Sequence, residues 1–197
     1  MRVDTTPQVS GNRNSVRIQT QYSFTGGLVI MDSVHMPTGC GTWPAFWTNG
    51  PTWPQTGEID IVEGVNDYTN NQATIHTNSG CQLPTSNVTA LGISGSIVGG
   101  TNCAALETGN QGCGIQASQT NSFGAAFNNN GGGVYASTLC LVPFRRVDTK
   151  NSLVFRSAVG QHWRQGLFLQ PEQHPNRYHR KRSHTGTLGH TQRVLAR

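Results

Sequence analysis

Three carboxylates stand within one short segment that also carries β-branched apolar residues, Glu58-Ile59-Asp60-Ile61-Val62-Glu63. This alternation predicts a strand in which Glu58 and Asp60 share one face while the isoleucines occupy the other. Strict alternation would turn Glu63 toward the core. We therefore expect a β-bulge near Ile61 or Val62 that returns Glu63 to the acidic face, so that three acids line one cleft.

Crowding gives such a cluster its chemistry. Like charges a few ångströms apart cannot all ionise cheaply, so one carboxyl keeps its proton near neutral pH while another stays ionised. Two such carboxyls, about 5 to 5.5 Å apart, hydrolyse glycosidic bonds with retention of configuration. One attacks the anomeric carbon, and the other protonates the leaving oxygen and then activates water. The same spacing also fits solvated surface acids or calcium ligands.

Tryptophans precede the acids closely. Trp43 and Trp47 lie in the run C-G-T-W-P-A-F-W, and Trp53 lies between two prolines in P-T-W-P. Flat aromatic faces suit the apolar faces of sugar rings, so we expect all three to bind substrate. Trp53 is the best placed as a sugar platform, whereas Trp47, beside Phe46, could instead belong to the core. His76 could hydrogen-bond substrate or an acid, although a lone histidine is more often structural.

The elements that must position these residues are short strands. The chain has 197 residues with 24 Gly and only 12% charged residues, which favours one all-β domain, a sandwich or barrel, over a helical bundle. Periodicity predicts strands at 16–22, 28–34, 45–47, 59–62 and 73–76. The segment 78–133 is rich in Gly, Asn, Ser and Thr, and we interpret it as long loops held by disulfides.

Charge divides the chain near Ala136. Residues 1–136 hold three basic and seven acidic residues, whereas residues 137–197 hold 11 basic and two acidic ones. We interpret residues 137–197 as a basic tail, frame-shifted or intron-derived and largely disordered. A nucleic-acid-binding arm is the rival interpretation, but no nucleic-acid-binding module accompanies it, so we expect no nucleic-acid partner.

Cysteines and a glycosylation sequon point to an oxidising compartment. An even set of four cysteines allows two disulfides in three connectivities: Cys40, Cys81, Cys103 and Cys113. Together with the sequon at Asn87, they are typical of a secreted protein. The chain has no Cys/His spacing typical of zinc, so we expect no metal site. It also has no apolar run long enough to cross a membrane and no signal-peptide pattern at its start.

At the motif E-I-D-I-V-E-G the sequence resembles glycoside hydrolase family 16, specifically the fungal endo-β-1,3(4)-glucanase (laminarinase-like) branch. The similarity extends to V-R-I-Q-T, H-M-P-T-G-C-G-T-W-P-A-F-W, G-N-Q-G-C-G and G-G-G-V-Y-A. It covers residues 1–136. The resemblance implies a jelly-roll β-sandwich of the concanavalin A-like type, with further strands on both sides of the matched region, so that this domain is incomplete at both ends.

The resemblance also implies a role for each acid. Glu58 becomes the nucleophile, Asp60 its helper and Glu63 the general acid/base. The implied substrate is a β-1,3 or mixed-linkage β-1,3/1,4-glucan, cut without a cofactor by an extracellular monomer that has no membrane partner. A non-catalytic glucan-binding jelly roll is the alternative function, and transglycosylation is a further possibility within the same fold.

Overall fold

Two antiparallel sheets carry the part of the chain that the structure describes. The computed structural model describes residues 2–85 and 93–140, together with strands at 154–160 and 193–196. Its elements are β1 (Ile18–Gln19), β2 (Gly27–Ser33), β3 (Ala45–Asn49), β4 (Glu58–Glu63), β5 (Gln72–His76), β6 (Ser96–Val98), β7 (Cys113–Gln116), α1 (Gly124–Asn129), β8 (Gly133–Cys140), β9 (Val154–Gly160) and β10 (Arg193–Ala196). One sheet has the order β1-β10-β3-β4-β5-β7-β6 and the other the order β2-β8-β9. The predicted all-β sandwich is confirmed.

The core lies between the two sheets. Its buried apolar residues come from both sheets and from the segment around α1: Val29, Met36, Ile59, Ile61, Val62, Phe123, Phe127, Tyr135 and Leu139. The ring of Tyr135 stacks on that of Phe127 with centroids 5.3 Å apart, and its hydroxyl donates to the Ser122 carbonyl at 2.6 Å. Burial raises the pKa of Tyr135, so this hydroxyl remains a donor.

Strand β4 contains one residue more than its partner β3 over the same stretch. The ladder passes directly from Asp60 to Val62, which leaves Ile61 without a partner in β3. Ile61 and Val62 therefore both enter the core, where each is buried. Glu63 returns to the face that carries Asp60, since both side chains line the same cleft. The predicted bulge is confirmed, and it lies at Ile61.

A buried asparagine satisfies backbone groups at this bulge. Asn71 Nδ2 donates to the Ile61 carbonyl at 2.9 Å, and its Oδ1 accepts from the Glu63 amide at 3.1 Å. The backbone of Asn71 donates to Ser122 Oγ at 2.9 Å and accepts from the Ala117 amide at 2.8 Å. Since buried polar groups must be paired to be tolerated, Asn71 is the residue that makes the bulge stable.

Strands β2 to β5 occur where periodicity predicts them, but the predicted strand at 16–22 does not extend so far. Only Ile18–Gln19 is a strand, and both residues are exposed. Within the described part of the chain, it pairs with β10 alone, over two residue pairs. An alternating sequence forms a long strand only where a neighbouring strand and a second layer are available, and here the pairing is too short.

The described part of the segment 78–133, predicted as long loops, contains β6, β7 and α1 and ends where β8 begins. Strand β7 pairs with both β5 and β6, so the sheet continues through a region of low strand propensity. The six-residue helix α1 follows and buries Phe127. Tertiary pairing overrides composition here, so two strands and a helix interrupt the predicted long loops. A disulfide does hold part of the segment, between Cys103 and Cys113.

Among the described residues, the last four residues of β8 and all of β9 and β10 lie in the part of the chain interpreted as a tail. Strand β9 pairs with β8 over seven residue pairs, and β10 lies between β1 and β3. The remaining residues of 141–197 fall outside the described residues, as does Asn87. The interpretation of 137–197 as a frame-shifted or intron-derived tail, the expectation that it is largely disordered, and glycosylation at Asn87 stay predictions.

Replacing Asn71 should destabilise the fold more than replacing its neighbour. Asn71→Ala leaves a buried carbonyl and a buried amide unsatisfied, and each costs about 1–3 kcal/mol. We expect the free energy of unfolding to fall by about 2–4 kcal/mol in urea titrations followed by tryptophan fluorescence. Asn70→Ala is the matched control. Asn70 donates to the carbonyls of Ala117 and Gln119 from a more exposed position, so its loss should cost about 1 kcal/mol or less. Equal losses in the two variants would contradict the role assigned to Asn71.

Candidate active site

An open cleft of about 800 Å³ crosses the face of the seven-stranded sheet that points away from the core. Its floor comes from side chains of three adjacent strands, β3, β4 and β5: Trp47, Asn49, Glu58, Asp60, Gln72, Thr74 and His76. Because side chains alternate between faces, each strand contributes every second residue to this floor. The volume lies within the range typical of ligand sites.

All three acids of the β4 motif line the cleft. Asp60 is only 2% exposed, whereas Glu58 and Glu63 are partly buried. The bulge at Ile61 is the reason that Glu63 joins the other two. The sequence therefore predicts which acids come together, and the structure brings Glu58, Asp60 and Glu63 to one surface as expected.

His76 lies on β5, opposite Glu58 in the register, and it contacts Asp60. Its Nε2 is 3.1 Å from Asp60 Oδ2. Burial disfavours the charged imidazole. The hydrogen bond to Asp60 and the charges of Asp60, Glu58 and Glu63 outweigh burial and raise the pKa of His76 above 6.5. Of the two partners considered for His76, an acid or the substrate, the structure gives it the acid, and contact with substrate stays a prediction.

A glycine closes the other side of His76. Gly112 has a φ of +61°, and a Cβ there would lie 2.5 Å from the Ile75 carbonyl oxygen and 2.8 Å from His76 Nδ1. Any side chain at position 112 would therefore displace both the strand and the imidazole. Among the described residues, His76 Nδ1 has no hydrogen-bond partner. Its hydrogen bonding is therefore directed at Asp60 through Nε2.

Two tryptophans donate hydrogen bonds to Glu58 and Glu63, the first and last of the three acids on β4. Trp53 Nε1 lies 2.5 Å from Glu58 Oε2, and Trp43 Nε1 lies 2.7 Å from Glu63 Oε1. Both rings remain accessible, at 39% and 57% exposure respectively. The structure thus places Trp43 and Trp53 at the cleft. The indole N–H of each donates to a glutamate, and the surface of each ring remains accessible.

Trp47 combines the two interpretations that the sequence left open. It is 3% exposed and packs with Ala45, as expected of a core residue. It also forms part of the cleft floor, with the Arg17 guanidinium 4.8 Å from its ring centroid, within the range of a cation–π contact.

Sequence reasoning missed several residues at the rim of the cleft: Arg17, Tyr68, Val98, Gly99, Asn110 and Gln111. They come from segments far apart in the chain, and no spacing of acidic, basic or aromatic residues marks them. Arg17, Asn110 and Gln111 nevertheless lie in two of the stretches that carry the family resemblance, V-R-I-Q-T and G-N-Q-G-C-G. A disulfide between Cys103 and Cys113 closes the loop that carries Asn110 and Gln111. The available signals were these two stretches and the loop closure, which the even cysteine count suggested.

The second disulfide expected from the four cysteines does not form. Cys40 and Cys81 are both free. Strands β3 and β5 each run antiparallel to β4 and so run parallel to one another. Cys40 precedes the start of β3 and Cys81 follows the end of β5, which places them toward opposite ends of the sheet. A disulfide needs Cα atoms within about 7 Å, which positions toward opposite ends of a sheet disfavour.

The described residues contain neither a metal-binding cluster nor a membrane-spanning helix. No group of three or more His, Cys, Asp or Glu side chains there is arranged to hold a metal ion. No helix in the same residues is long and apolar enough to cross a membrane.

Comparisons with known proteins agree with this geometry. Residues 1–141 match the family model of the XgeA-like catalytic GH16 domain. A probable glycosidase of Schizosaccharomyces pombe is 47% identical over 68% of the chain, and a probable endo-1,3(4)-β-glucanase of Aspergillus niger is 45% identical over 69%. The solved GH16 laminarinase 16A of Phanerochaete chrysosporium, with β-glucans in its donor and acceptor sites, is 45% identical over 70% of the chain, with a TM-score of 0.63. A solved GH16 β-1,3-glucosyltransferase is 42% identical over 66%, with a TM-score of 0.56.

The chain spans only part of each of these proteins. It covers 32% of the Schizosaccharomyces relative and 18% of the Aspergillus one. It covers 46% of the solved laminarinase and 41% of the solved glucosyltransferase. The family model nevertheless matches more than two thirds of the chain itself, including the acidic strand, the tryptophans and His76. The chain therefore belongs to glycoside hydrolase family 16.

Proposed function

We propose that the chain hydrolyses internal β-1,3 or mixed-linkage β-1,3/1,4 glucosidic bonds of glucans by a retaining double displacement. The observation that carries the proposal is the alignment of three acids on one face of a bulged strand, inside an open cleft. An open cleft can admit the middle of a polymer, which suits internal cleavage. The endoglucanase and laminarinase relatives support a β-glucan as the substrate.

In this mechanism Glu58 is the nucleophile and Glu63 the general acid/base. A Glu58 oxygen attacks the anomeric carbon, while the bond from that carbon to the leaving oxygen breaks and Glu63 gives its proton to that oxygen. Water then attacks the same carbon, Glu63 takes a proton from the water, and the bond to Glu58 breaks. Glu58 and Glu63 thus return to their starting protonation states after each cycle.

Asp60 and His76 act as a support for this pair. Asp60 is almost fully buried between the two acids and holds His76 through a 3.1 Å contact. A protonated His76 offsets negative charge in the cleft floor, which lowers the cost of keeping Glu58 ionised beside two other carboxyls. Asp60 is therefore the helper of the nucleophile, and His76 keeps the helper in place.

The same cleft would also suit two alternative functions, glucan binding without cleavage and transglycosylation. The exposed rings of Trp43 and Trp53 could bind a glucan with no bond cleavage, which would make the domain a glucan-binding module. A sugar hydroxyl could also replace water in the second step, as expected of an enzyme like the solved glucosyltransferase neighbour. Both outcomes can be measured with the same substrates.

Removing the nucleophile should abolish hydrolysis but spare binding. We expect Glu58→Gln to lower reducing-sugar release from laminarin and from mixed-linkage β-glucan by more than about 1,000-fold, since the covalent step is lost. Glu107→Gln is the matched control, because Glu107 lies outside the cleft and bonds to Asn102. Affinity electrophoresis in laminarin gels reports binding. An unsubstituted chain that binds glucan without cutting it would favour the binding-module alternative.

Retention predicts the configuration of the first product. Two successive displacements restore the original configuration, so the newly formed reducing end should appear first as the β-anomer. Proton NMR of the anomeric region during the first minutes of laminarin cleavage measures this directly. An initial α-anomer would rule out the double displacement.

The pairing of His76 should make stability depend on pH in a defined direction. The folded pKa of His76 is raised, so its contribution is fully present below about pH 6.5 and is lost as pH rises through the folded pKa. We expect the difference in free energy of unfolding between the native chain and His76→Asn to shrink as pH rises from 6 to 9. This range of about three units brackets a raised imidazole pKa. His35→Asn, at an exposed histidine, serves as the control. A difference that grows with pH would contradict the pairing.

A further inference from the structure

Asn66 holds the loop that precedes Trp43. The Asn66 carbonyl accepts from the Gly39 amide at 3.1 Å, and the Asn66 amide donates to the Thr42 carbonyl at 2.9 Å. Its side-chain Oδ1 accepts from the Gly41 amide at 2.8 Å. One residue therefore bonds to three of the four residues that stand directly before Trp43 in the chain.

We propose that Asn66 is a positioning residue, which sets where the Trp43 indole stands beside Glu63, and that glucan cleavage depends on Asn66 through Trp43. The proposal rests on the proposed function for the part that Trp43 plays in cleavage, but the position of the indole can be observed without turnover. Asn66 is not among the described residues that line the cleft, whereas Trp43 is. An effect of Asn66 on substrate must therefore pass through a neighbour.

The backbone conformation explains why an asparagine suits this position. Asn66 has a φ of +54°, in the left-handed region. Asparagine enters that region more readily than most residues with a side chain, because its short polar group can bond locally. Glycine enters it without strain but carries no side-chain acceptor. Asn66 thus combines the turn that the chain makes here with the oxygen that holds the Gly41 amide.

The acid and the residue that holds the Trp43 loop belong to one short segment. Glu63 and Asn66 are three residues apart, and Gly64 between them packs closely on the core. A Cβ at Gly64 would lie 2.7 Å from ring atoms of Phe123. Trp43 Nε1 donates to Glu63 Oε1 at 2.7 Å. The indole is thus connected to this segment twice, by its own hydrogen bond and through the loop that bonds to Asn66.

The exposure of Trp43 makes these connections important. The side chain is 57% exposed, so packing restrains it only in part. On the other side of Trp43, Pro44 confines its backbone to extended conformations. The hydrogen bonds of the preceding loop then decide where the indole lies. A loop that loses one of them would offer sugar a less well-placed ring and Glu63 a less well-placed donor.

The first measurement follows the indole itself. The full chain is labelled with 6-fluorotryptophan, and the fluorine-19 resonance of Trp43 is assigned from its loss in Trp43→Phe. We expect Asn66→Gly to move or broaden this resonance, because glycine keeps the left-handed turn and the backbone bonds but lacks the acceptor. Asn66→Asp should restore its position, since a carboxylate oxygen can accept the same bond. Cys40→Ser, at an exposed side chain of the same loop, is the matched control.

The second measurement is a double-mutant cycle on kcat/KM for laminarin. Asn66→Gly should lower kcat/KM by about threefold to tenfold, as expected for the loss of one hydrogen bond. In a Trp43→Ala background the same change should lower kcat/KM by less than about twofold, because the residue through which Asn66 acts is gone. Thermal unfolding of the four chains checks that each one folds, and a purely structural loss would be the same in both backgrounds.

Two results would overturn the proposal. One is an equal loss of kcat/KM in the two backgrounds, and the other is a Trp43 resonance in Asn66→Gly that coincides with that in Cys40→Ser. A displaced resonance in a chain that cuts no glucan would instead uphold the positioning of the indole and count against the proposed function alone.

Discussion

The bulge at Ile61, held by the side-chain amide of Asn71, is the constraint on which the acidic face depends. Without it, Glu63 would turn toward the core beside Ile59, where an unpaired carboxylate is costly to bury. With it, two apolar residues in succession fill the core and three acids share the cleft. The hydrogen bonds of Asn71 also connect the bulge to the core. Asn71 donates to Ser122, whose carbonyl accepts from the Tyr135 hydroxyl on the opposite sheet. A hydrogen-bonded path thus links the acid face to the centre of the core.

Placing three carboxyls together raises an electrostatic problem, which neighbouring donors reduce. Asp60 has His76 beside it on the neighbouring strand, and Glu58 and Glu63 each accept from an indole N–H at the edge of the cleft. In a partly buried site such bonds are stronger than in water, and leaving one unmade would be correspondingly costly. The donors come from the loop before β3, the β3–β4 turn and β5, so the charge distribution on β4 depends on strands and loops on both of its sides.

The cleft also joins parts of the molecule that are distant in the chain. Arg17 lies over Trp47 on one side, and on the other side the loop closed by Cys103 and Cys113 presents Asn110 and Gln111. Neither rim segment carries a charged pair or an aromatic run that would mark it in advance. A site on an open sheet recruits its walls from whichever loops the strand order brings near, which here follows the order β3-β4-β5-β7-β6.

The sequence by itself determined the acidic strand, the need for a bulge, the aromatic neighbours and the all-β class, because these follow from local periodicity and residue type. It also identified His76 as a partner for an acid or the substrate. Only the tertiary structure decided that the partner is Asp60, that Asn71 clamps the bulge, that β6 and β7 form within a glycine-rich segment, and that Cys40 and Cys81 stay apart. These depend on which strands become neighbours. Strand pairing joins residues far apart in sequence, and nothing in the local spacing of a motif records the distance between them.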